Sequence, residues 1–340
     1  MPIFNSVYLA LDSRAAGGIE SHVAELAIAL AEQGVAVSVV LLADYGWHPL
    51  QQALQRPGIR LLKLDGCAMS FWQLLRRERP ALLHTHGYKA GILGRLFARL
   101  LGVKVVSTFH AGEPGEGRLR YYQWLDERSA GLAPAMAVSA AIAARLKTRA
   151  VVVDNFVNVP DLPSRIVPRT VAFVGRLSHE KGPDRFMALA RQMPDVRFLV
   201  FGDGPLRAEL EANASTNVQF FGMVSSMNNH WQEIGLLCMP SRHEGMPMAA
   251  LEAMAHGVPV AAFAVGSLPR LDLGDAGGYL CPQGDMAALM ACLQSWARQD
   301  GTQRQRRAEL ARAKIAEGFS PKAVLPQILA VYRRTQVVGL

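Results

Sequence analysis

Residues 241–260 read Ser241-Arg242-His243-Glu244-Gly245-Met246-Pro247-Met248-Ala249-Ala250-Leu251-Glu252-Ala253-Met254-Ala255-His256-Gly257-Val258-Pro259-Val260. A loop carrying Glu244 runs into a helix carrying Glu252, and Gly257-Val258-Pro259 turns into a new apolar strand. Pro247 suits the first helical position, where the N–H it lacks would be unpaired anyway. The open amides of that first turn, with Gly245 before them, form a cradle for an anion or a hydroxyl-rich ligand. Glu252, one to two turns in, looks back toward the same place. A core helix has no need of a glutamate there.

The same alternation of short apolar runs and amphipathic segments extends through the chain. Strands are expected at Val7–Leu11, Val35–Leu42, Ile59–Leu64, Ala81–His84, Val103–Thr108, Ala135–Ser139 and Val151–Asp154. Helices are expected between them at Gly18–Gln33, Phe71–Glu78, Gly91–Leu101 and Ala140–Leu146. Pro160, Pro163 and Pro168 then give a linker composition over Phe156–Pro168. A second series follows, with strands Thr170–Val174, Val196–Phe201, Val218–Phe221, Ile234–Met239 and Val258–Ala262. Its helices are Gly182–Gln192, Pro205–Ala214, Pro247–His256 and Met286–Arg298, and a last helix spans Pro321–Thr335. Serial βαβ units imply mostly parallel sheets. The expected architecture is α/β with two Rossmann-like doubly wound domains facing a cleft: 1–160, a linker at 161–168, 169–318, and a C-terminal helix, 319–340, packing back on the first domain. Ligands of such folds sit at the carboxyl ends of the strands.

The 340 residues exceed one compact core and suit two domains. Half of them are hydrophobic and 19% charged, as in a soluble globular protein. The nearest approach to a membrane span, Val23–Ala43, is broken by Glu25, Glu32, Gln33 and Gly34. The start Met1-Pro2-Ile3-Phe4-Asn5 has no basic region before an apolar run, so a signal peptide is not expected. Cys67, Cys238, Cys281 and Cys292 show neither paired nor metal-binding spacing and read as reduced thiols of a cytosolic protein. The net charge of +8 is spread, with 18 basic against 13 acidic residues over 1–165 and 18 against 15 over the remainder. Without a basic tract interleaved with aromatics, nucleic acid is the weakest of the anionic partners this charge suggests.

Four constellations carry the candidate chemistry. Gly17-Gly18-Ile19-Glu20 follows the first strand and either lets the backbone approach a phosphate or is an ordinary tight turn. Val174-Gly175-Arg176-Leu177-Ser178-His179-Glu180-Lys181-Gly182 leaves the first strand of the second domain. Its forked guanidinium and point-charge ammonium suit a diphosphate, against the bland reading of a solvated loop. Phe201-Gly202-Asp203-Gly204-Pro205 is another glycine-rich turn from strand to helix, and Glu244…Glu252 is the fourth element. Paired carboxylates also suggest glycoside hydrolysis, but carboxylates beside backbone donors fit hydroxyl binding better.

Together these elements resemble the retaining glycosyltransferases of the GT-B fold, glycosyltransferase family 4 or glycosyl transferases group 1, over nearly the whole chain. The segments "FVGRLSHEKGPDRF" (173–186), "FGDGPLRAEL" (201–210), "PSRHEGMPMAALEAMAHGVPV" (240–260) and "GGYLCPQGD" (277–285) stand in the family's order and spacing. "GGIESHVAELAIALAEQGVAVSVV" (17–40), "LLHTHG" (82–87) and "STFHAGE" (107–113) match more loosely. The resemblance implies that Arg176 and Lys181 hold the donor diphosphate and that Glu252 accepts hydrogen bonds from the ribose. It implies that Glu244, with the amides of Gly245, Met246 and Met248, holds the donor sugar. Gly17 and Gly18 would approach the diphosphate, and the base would lie near Gly202, Gly204 and Val224. His110 matches a family histidine close to the reacting centre. The family reaction has no agreed protein nucleophile. No metal or other cofactor is expected, since the cation pair offsets the charge. Ser267 and Arg270 depart from the family's usual Gly-Gly-x-x-Glu; Arg270 is read either as a further phosphate ligand or as solvent-facing.

Other side chains read more plainly. His84-Thr85-His86 is a polar turn at a strand end rather than a metal pair, because no third ligand accompanies it; His86 would still line the acceptor side. Ser139 and Asn155 are candidates for ligand contact. In 89–104, Leu93, Leu96, Phe97 and Leu100 share a face, with Lys89, Arg95, Arg99 and Lys104 around it and Arg76, Arg77 and Arg79 nearby. This is either a core helix with a solvated basic rim or a surface that docks on an anionic membrane. The expected function is transfer of a hexose-type sugar from a UDP- or GDP-linked donor to a cell-surface glycan or glycolipid, by a cytosolic protein with peripheral attachment to the membrane's inner face. A sugar-nucleotide epimerase and a non-catalytic subunit of a glycan-synthesis complex are the alternatives.

Overall fold

The structure, a computed structural model, describes residues 4–14, 17–110, 117–161 and 168–337. The chain divides into two compact units, one running to Phe156 and resuming at Pro321, the other spanning Val157–Ser320. Residues 162–167 of the proline-rich linker and Ala111-Gly112-Glu113 of the "STFHAGE" segment lie outside the described residues.

The first unit holds strands β1 (Ser6–Leu11), β2 (Ala36–Leu41), β3 (Ile59–Lys63), β4 (Leu82–His86), β5 (Val105–Phe109), β6 (Ala135–Ala137) and β7 (Ala150–Val152). Its helices are α1 (Gly18–Glu32), α2 (Leu50–Ala53), α3 (Ala68–Glu78), α4 (Tyr88–Leu101), α5 (Arg118–Arg128) and α6 (Ala140–Arg145). The second unit holds β8 (Thr170–Val174), β9 (Arg197–Phe201), β10 (Val218–Gly222), β11 (Leu236–Met239), β12 (Val260–Phe263) and β13 (Tyr279–Cys281). Its helices are α7 (Pro183–Arg191), α8 (Arg207–Ala212), α9 (Met248–Ala255), α10 (Met286–Arg298) and α11 (Gly301–Gly318). Helix α12 (Pro321–Val337) returns to the first unit.

Both sheets are parallel, in the orders β3-β2-β1-β4-β5-β6-β7 and β10-β9-β8-β11-β12-β13. Strands covered on both faces must be apolar throughout, which is why the inner strands read as unbroken hydrophobic runs. On one face of the first sheet, Leu9, Val37 and Val39 pack with Val23, Leu26 and Leu30 of α1 and Ile328 and Tyr332 of α12. On the other, Tyr8, Ala10 and Val40 pack with Phe71 and Leu74 of α3 and Ala90 and Ala98 of α4. No helix among the described residues is long and apolar enough to cross a membrane.

Several elements differ from expectation. Strand β13 has three residues, too short to show a period, and takes its place by pairing with β12. Helix α11 is polar along most of its length, with Ala308, Ala311 and Ile315 as a narrow buried stripe. It starts on a capping box in which Asp300 and Gln303 satisfy each other's backbone amides. Helix α5 shows no apolar stripe, and its large side chains face out. Pro247 is the N-cap of α9, in extended geometry, rather than its first helical residue.

The reading of α4 needs the largest correction. Arg95 is fully buried rather than part of a solvated rim. Its guanidinium pairs with Asp126 at 2.5 Å and donates to Ser107 Oγ at 2.9 Å and Ser129 Oγ at 2.8 Å. Burial outweighs the arginine's pull and raises the Asp126 carboxyl to about 6. Leu96 and Leu100, expected on the core face, are exposed, while Leu93 and Phe97 pack inward.

Candidate active site

In a doubly wound sheet, the strand order reverses at one point, and ligands collect at the strand ends beside it. The reversal in the second unit lies between β8 and β11. The residues following these two strands are 175–182 and 240–247, so the sequence-predicted cations and carboxylate meet there.

Lys181 Nζ sits 2.8 Å from Glu244 Oε2, and Ser241 Oγ donates to Glu244 Oε1 at 2.8 Å. The Glu244 side chain is 2% exposed and that of Lys181 is 26% exposed. A carboxylate so enclosed is tolerated because both oxygens are engaged. The loops are laced elsewhere. Arg242 donates to His179 O at 2.7 Å and forks onto Asp184 at 2.8 and 2.6 Å, and its amide donates to Glu180 O at 2.8 Å. Arg185 Nη1 donates to Pro240 O at 3.1 Å. Arg176 differs: it is exposed, and its side chain makes no hydrogen bond or ion pair among the described residues.

The neighbouring turns close on this pair. Gly202, at φ +129°, lies so near the Gly175 carbonyl that a Cβ would collide with it. Its amide donates to Gly222 O at 2.8 Å, which ties the turn after β9 to the turn leading to Val224 after β10. Gly266, at φ +58°, packs equally close on the carbonyls of Glu244 and Gly245. Ser267 N donates to Gly245 O at 2.8 Å, so the buried Ser267 braces the loop that holds Glu244. Arg270 is exposed. The helix α9 begins at Met248, whose amide and that of Ala249 have no carbonyl within the helix to receive them. Met246 and Met248 are buried, and Glu252 is half-buried. Gly204 lies in the same turn as Gly202, against the Leu177 backbone. Ser241 and Arg242 were within the quoted stretch, but nothing in their spacing distinguished them from loop polarity.

The remaining candidates belong to the first unit. Gly17 is the N-cap of α1, with Gly18 its first residue. The reversal here lies between β1 and β4. His86 ends β4 and His110 follows β5, and His86 Nδ1 lies 3.0 Å from His110 Nε2. His22 of α1 joins them, and one ligating atom from each of the three lies within 4.8 Å of the others. The third histidine thus exists, 64 positions from His86 in sequence. His84 stands apart, with its nitrogens taken by Tyr332 Oη at 2.8 Å and Thr108 Oγ1 at 2.7 Å. Burial lowers all four imidazoles, His22 to about 4, and so favours their neutral forms. Ser139 is spent on structure, as the buried N-cap of α6 accepting from Ile142 N at 3.2 Å. Asn155 is buried near His22.

Two doubly wound parallel α/β units with loop clusters at both switch points define a two-domain, Rossmann-like protein. Residues 16–160 match the family model "Glycosyltransferase Family 4", and residues 168–299 match "Glycosyl transferases group 1". The chain belongs to the glycosyltransferases of this family and is an enzyme of that class. It is similar to the Escherichia coli UDP-Gal:alpha-D-GlcNAc-diphosphoundecaprenol alpha-1,3-galactosyltransferase, 27% identical over 69% of this chain and 71% of that one. It is also similar to the Streptomyces fradiae 2-deoxystreptamine N-acetyl-D-glucosaminyltransferase, 28% identical over 81% of each. Among solved structures, Anabaena HepE in complex with UDP-glucose shares the GT-B fold at a TM-score of 0.81, with 19% identity, covering 97% of this chain and 99% of that one.

Proposed function

We propose that the chain moves a hexose-type sugar, with retention of configuration, from a nucleoside diphosphate sugar to a glycan or glycolipid acceptor, with UDP the first nucleotide to test and GDP the second. The observation that carries this is the Lys181–Glu244 pair at the β8/β11 switch point, with exposed Arg176 on the same loop. The E. coli relative's name gives a UDP-galactose donor and a lipid diphosphate acceptor, and the HepE structure holds UDP-glucose, which supports a nucleotide-sugar donor here.

In this reading the bond from the anomeric carbon to the diphosphate breaks, and its electron pair goes to the phosphate oxygen. Arg176 and Lys181 offset that charge. Glu244, with the amides of Gly245, Met246 and Met248, holds the sugar hydroxyls, and Glu252 accepts from the ribose. Gly202, Gly204 and Val224 border the base. The acceptor hydroxyl attacks from the face the diphosphate leaves and gives its proton to the departing phosphate, so no side chain acts as nucleophile. The chain's own cations meet the developing charge, and the step draws on no metal.

A thermal-shift screen over UDP-, GDP- and ADP-sugars tests the donor. A ligand at a hundred times its Kd adds about 2.7 kcal/mol to the native state, so UDP-sugars should raise Tm by several degrees. Glu252→Ala, compared with its own unliganded Tm, should abolish the rise. No shift with any donor, or an equal shift in Glu252→Ala, overturns the assignment.

Peripheral docking on the inner face of the cytoplasmic membrane belongs to the same proposal. Leu119, Tyr121, Tyr122 and Trp124 of α5 are each roughly half exposed, Tyr121 stacks on Trp124, and Arg128 lies over the Trp124 ring. Exposed aromatics with arginine suit a headgroup interface. Sedimentation with anionic vesicles should carry the protein down, salt should weaken it, and Tyr121→Ser with Trp124→Ser should abolish it. Absent or salt-insensitive binding refutes this part.

A further inference from the structure

We infer that His22, His86 and His110 form a binding site for one divalent transition-metal ion, with zinc the best-fitting. The proposal concerns the first unit alone and does not rest on the donor-site reading.

Three features of the geometry carry it. The ligating atoms come from three separate elements, α1, the end of β4 and the residue after β5, yet lie within 4.8 Å of one another. Zinc bound to imidazole at about 2.0–2.1 Å in a tetrahedron places its ligand nitrogens about 3.4 Å apart. The His86–His110 pair, at 3.0 Å, is already near that edge length. His22 has to close by an ångström or so, within the reach of a side-chain rotation.

The second feature is unmet hydrogen bonding. His22 Nδ1, His22 Nε2 and His86 Nε2 are buried and have no hydrogen-bond partner among the described residues. Asn155 stands close enough to His22 to favour its charged form against the effect of burial. Buried polar atoms are almost always paired, and an orphan calls for an unseen water or ion. An ion held with His86 and His110 would give one of the two His22 nitrogens a partner. His84 is the internal contrast, since it lies against His86, with ring centroids 4.1 Å apart, and has both nitrogens satisfied.

The third is access. His22 and His86 are buried, whereas His110 is partly exposed and is the member of the cluster nearest solvent. Three protein ligands leave the fourth tetrahedral position to water or an oxygen ligand, as in zinc sites that are not purely structural.

The test is a Co2+ titration of chelator-treated full-length protein at pH 7.5. One equivalent should give the visible d–d absorption of four-coordinate cobalt with nitrogen and oxygen ligands, and one equivalent of Zn2+ should erase it. Zn2+ alone should also raise Tm. His22→Asn should remove the absorption, and so should His110→Ala, a change at the half-exposed edge that keeps the result readable if the buried variant fails to fold. Absence of the band overturns the site, as does a band that survives in either folded variant. Thiolate-to-cobalt charge transfer would place the ion instead at Cys281 and Cys292, whose sulfurs are 3.6 Å apart, and would equally overturn it.

Discussion

Replacing Arg176 with alanine is expected to lower kcat/KM for sugar transfer by about 10²–10³-fold, the effect typical of removing one donor aimed at developing charge. The folded state should scarcely notice. The side chain is exposed and makes no hydrogen bond or ion pair among the described residues, so no cavity or orphaned partner is left. Lys181 is not an equivalent probe, because its removal strips a buried carboxylate of its counter-charge. Loss from Lys181→Ala would therefore mix catalysis with local collapse of the 240–247 loop. Arg176→Lys separates charge from geometry: a compact ammonium restores charge but not the fork, so partial recovery is expected. Steady-state kinetics with a matched melting curve decide it. Unchanged turnover in Arg176→Ala would remove that residue from the site.

The second large effect is on stability. Arg95→Met should destabilise the first unit by about 3–5 kcal/mol, because it leaves a buried carboxylate without its partner. Asp126, 2.5 Å away and already held at about 6, would rise further without the arginine's pull, which favours its neutral form and limits the damage. The double change Arg95→Met with Asp126→Leu should recover much of the loss, since an apolar pair leaves no charge unpaired. Urea unfolding of the three proteins gives the comparison. Equal midpoints for the parent and Arg95→Met would show that the pair contributes nothing. Gly91 is part of the same arrangement, for a side chain there would meet the Asp126 carboxylate and the Arg95 guanidinium.

Much of this was legible in sequence because it depends on local rules. Parallel strands covered on both faces must be apolar, so inner strands such as β1, β2 and β9 announce themselves. Glycine-rich turns at strand ends and Glu244 before a helix start mark the loops that the β8/β11 switch point brings together. Three-residue β13 and polar α11 were not legible, since one is too short for a period and the other has only a narrow apolar stripe. The Pro247 position was misjudged by one residue, because an N-cap and a first helical residue differ only in backbone angle.

Charge and long-range placement were decided by tertiary structure. Periodicity on α4 placed Arg95 on a wet rim and Leu96 and Leu100 in the core. The packed unit buries the arginine, because α5 supplies Asp126 and Ser129 and β5 supplies Ser107. The histidines show the same limit. His84 and His86 look alike in sequence, two residues apart on one strand. Folding satisfies one with Tyr332 and Thr108 and gathers the other with His22 and His110. By itself the sequence determined two doubly wound units, the family, and the Glu244–Glu252 element with its cations, because each is written in contiguous segments of fixed local geometry. Which charge is buried, which oxygen Lys181 engages and which histidines converge required the folded chain, because those partners are brought together only when distant strands order side by side.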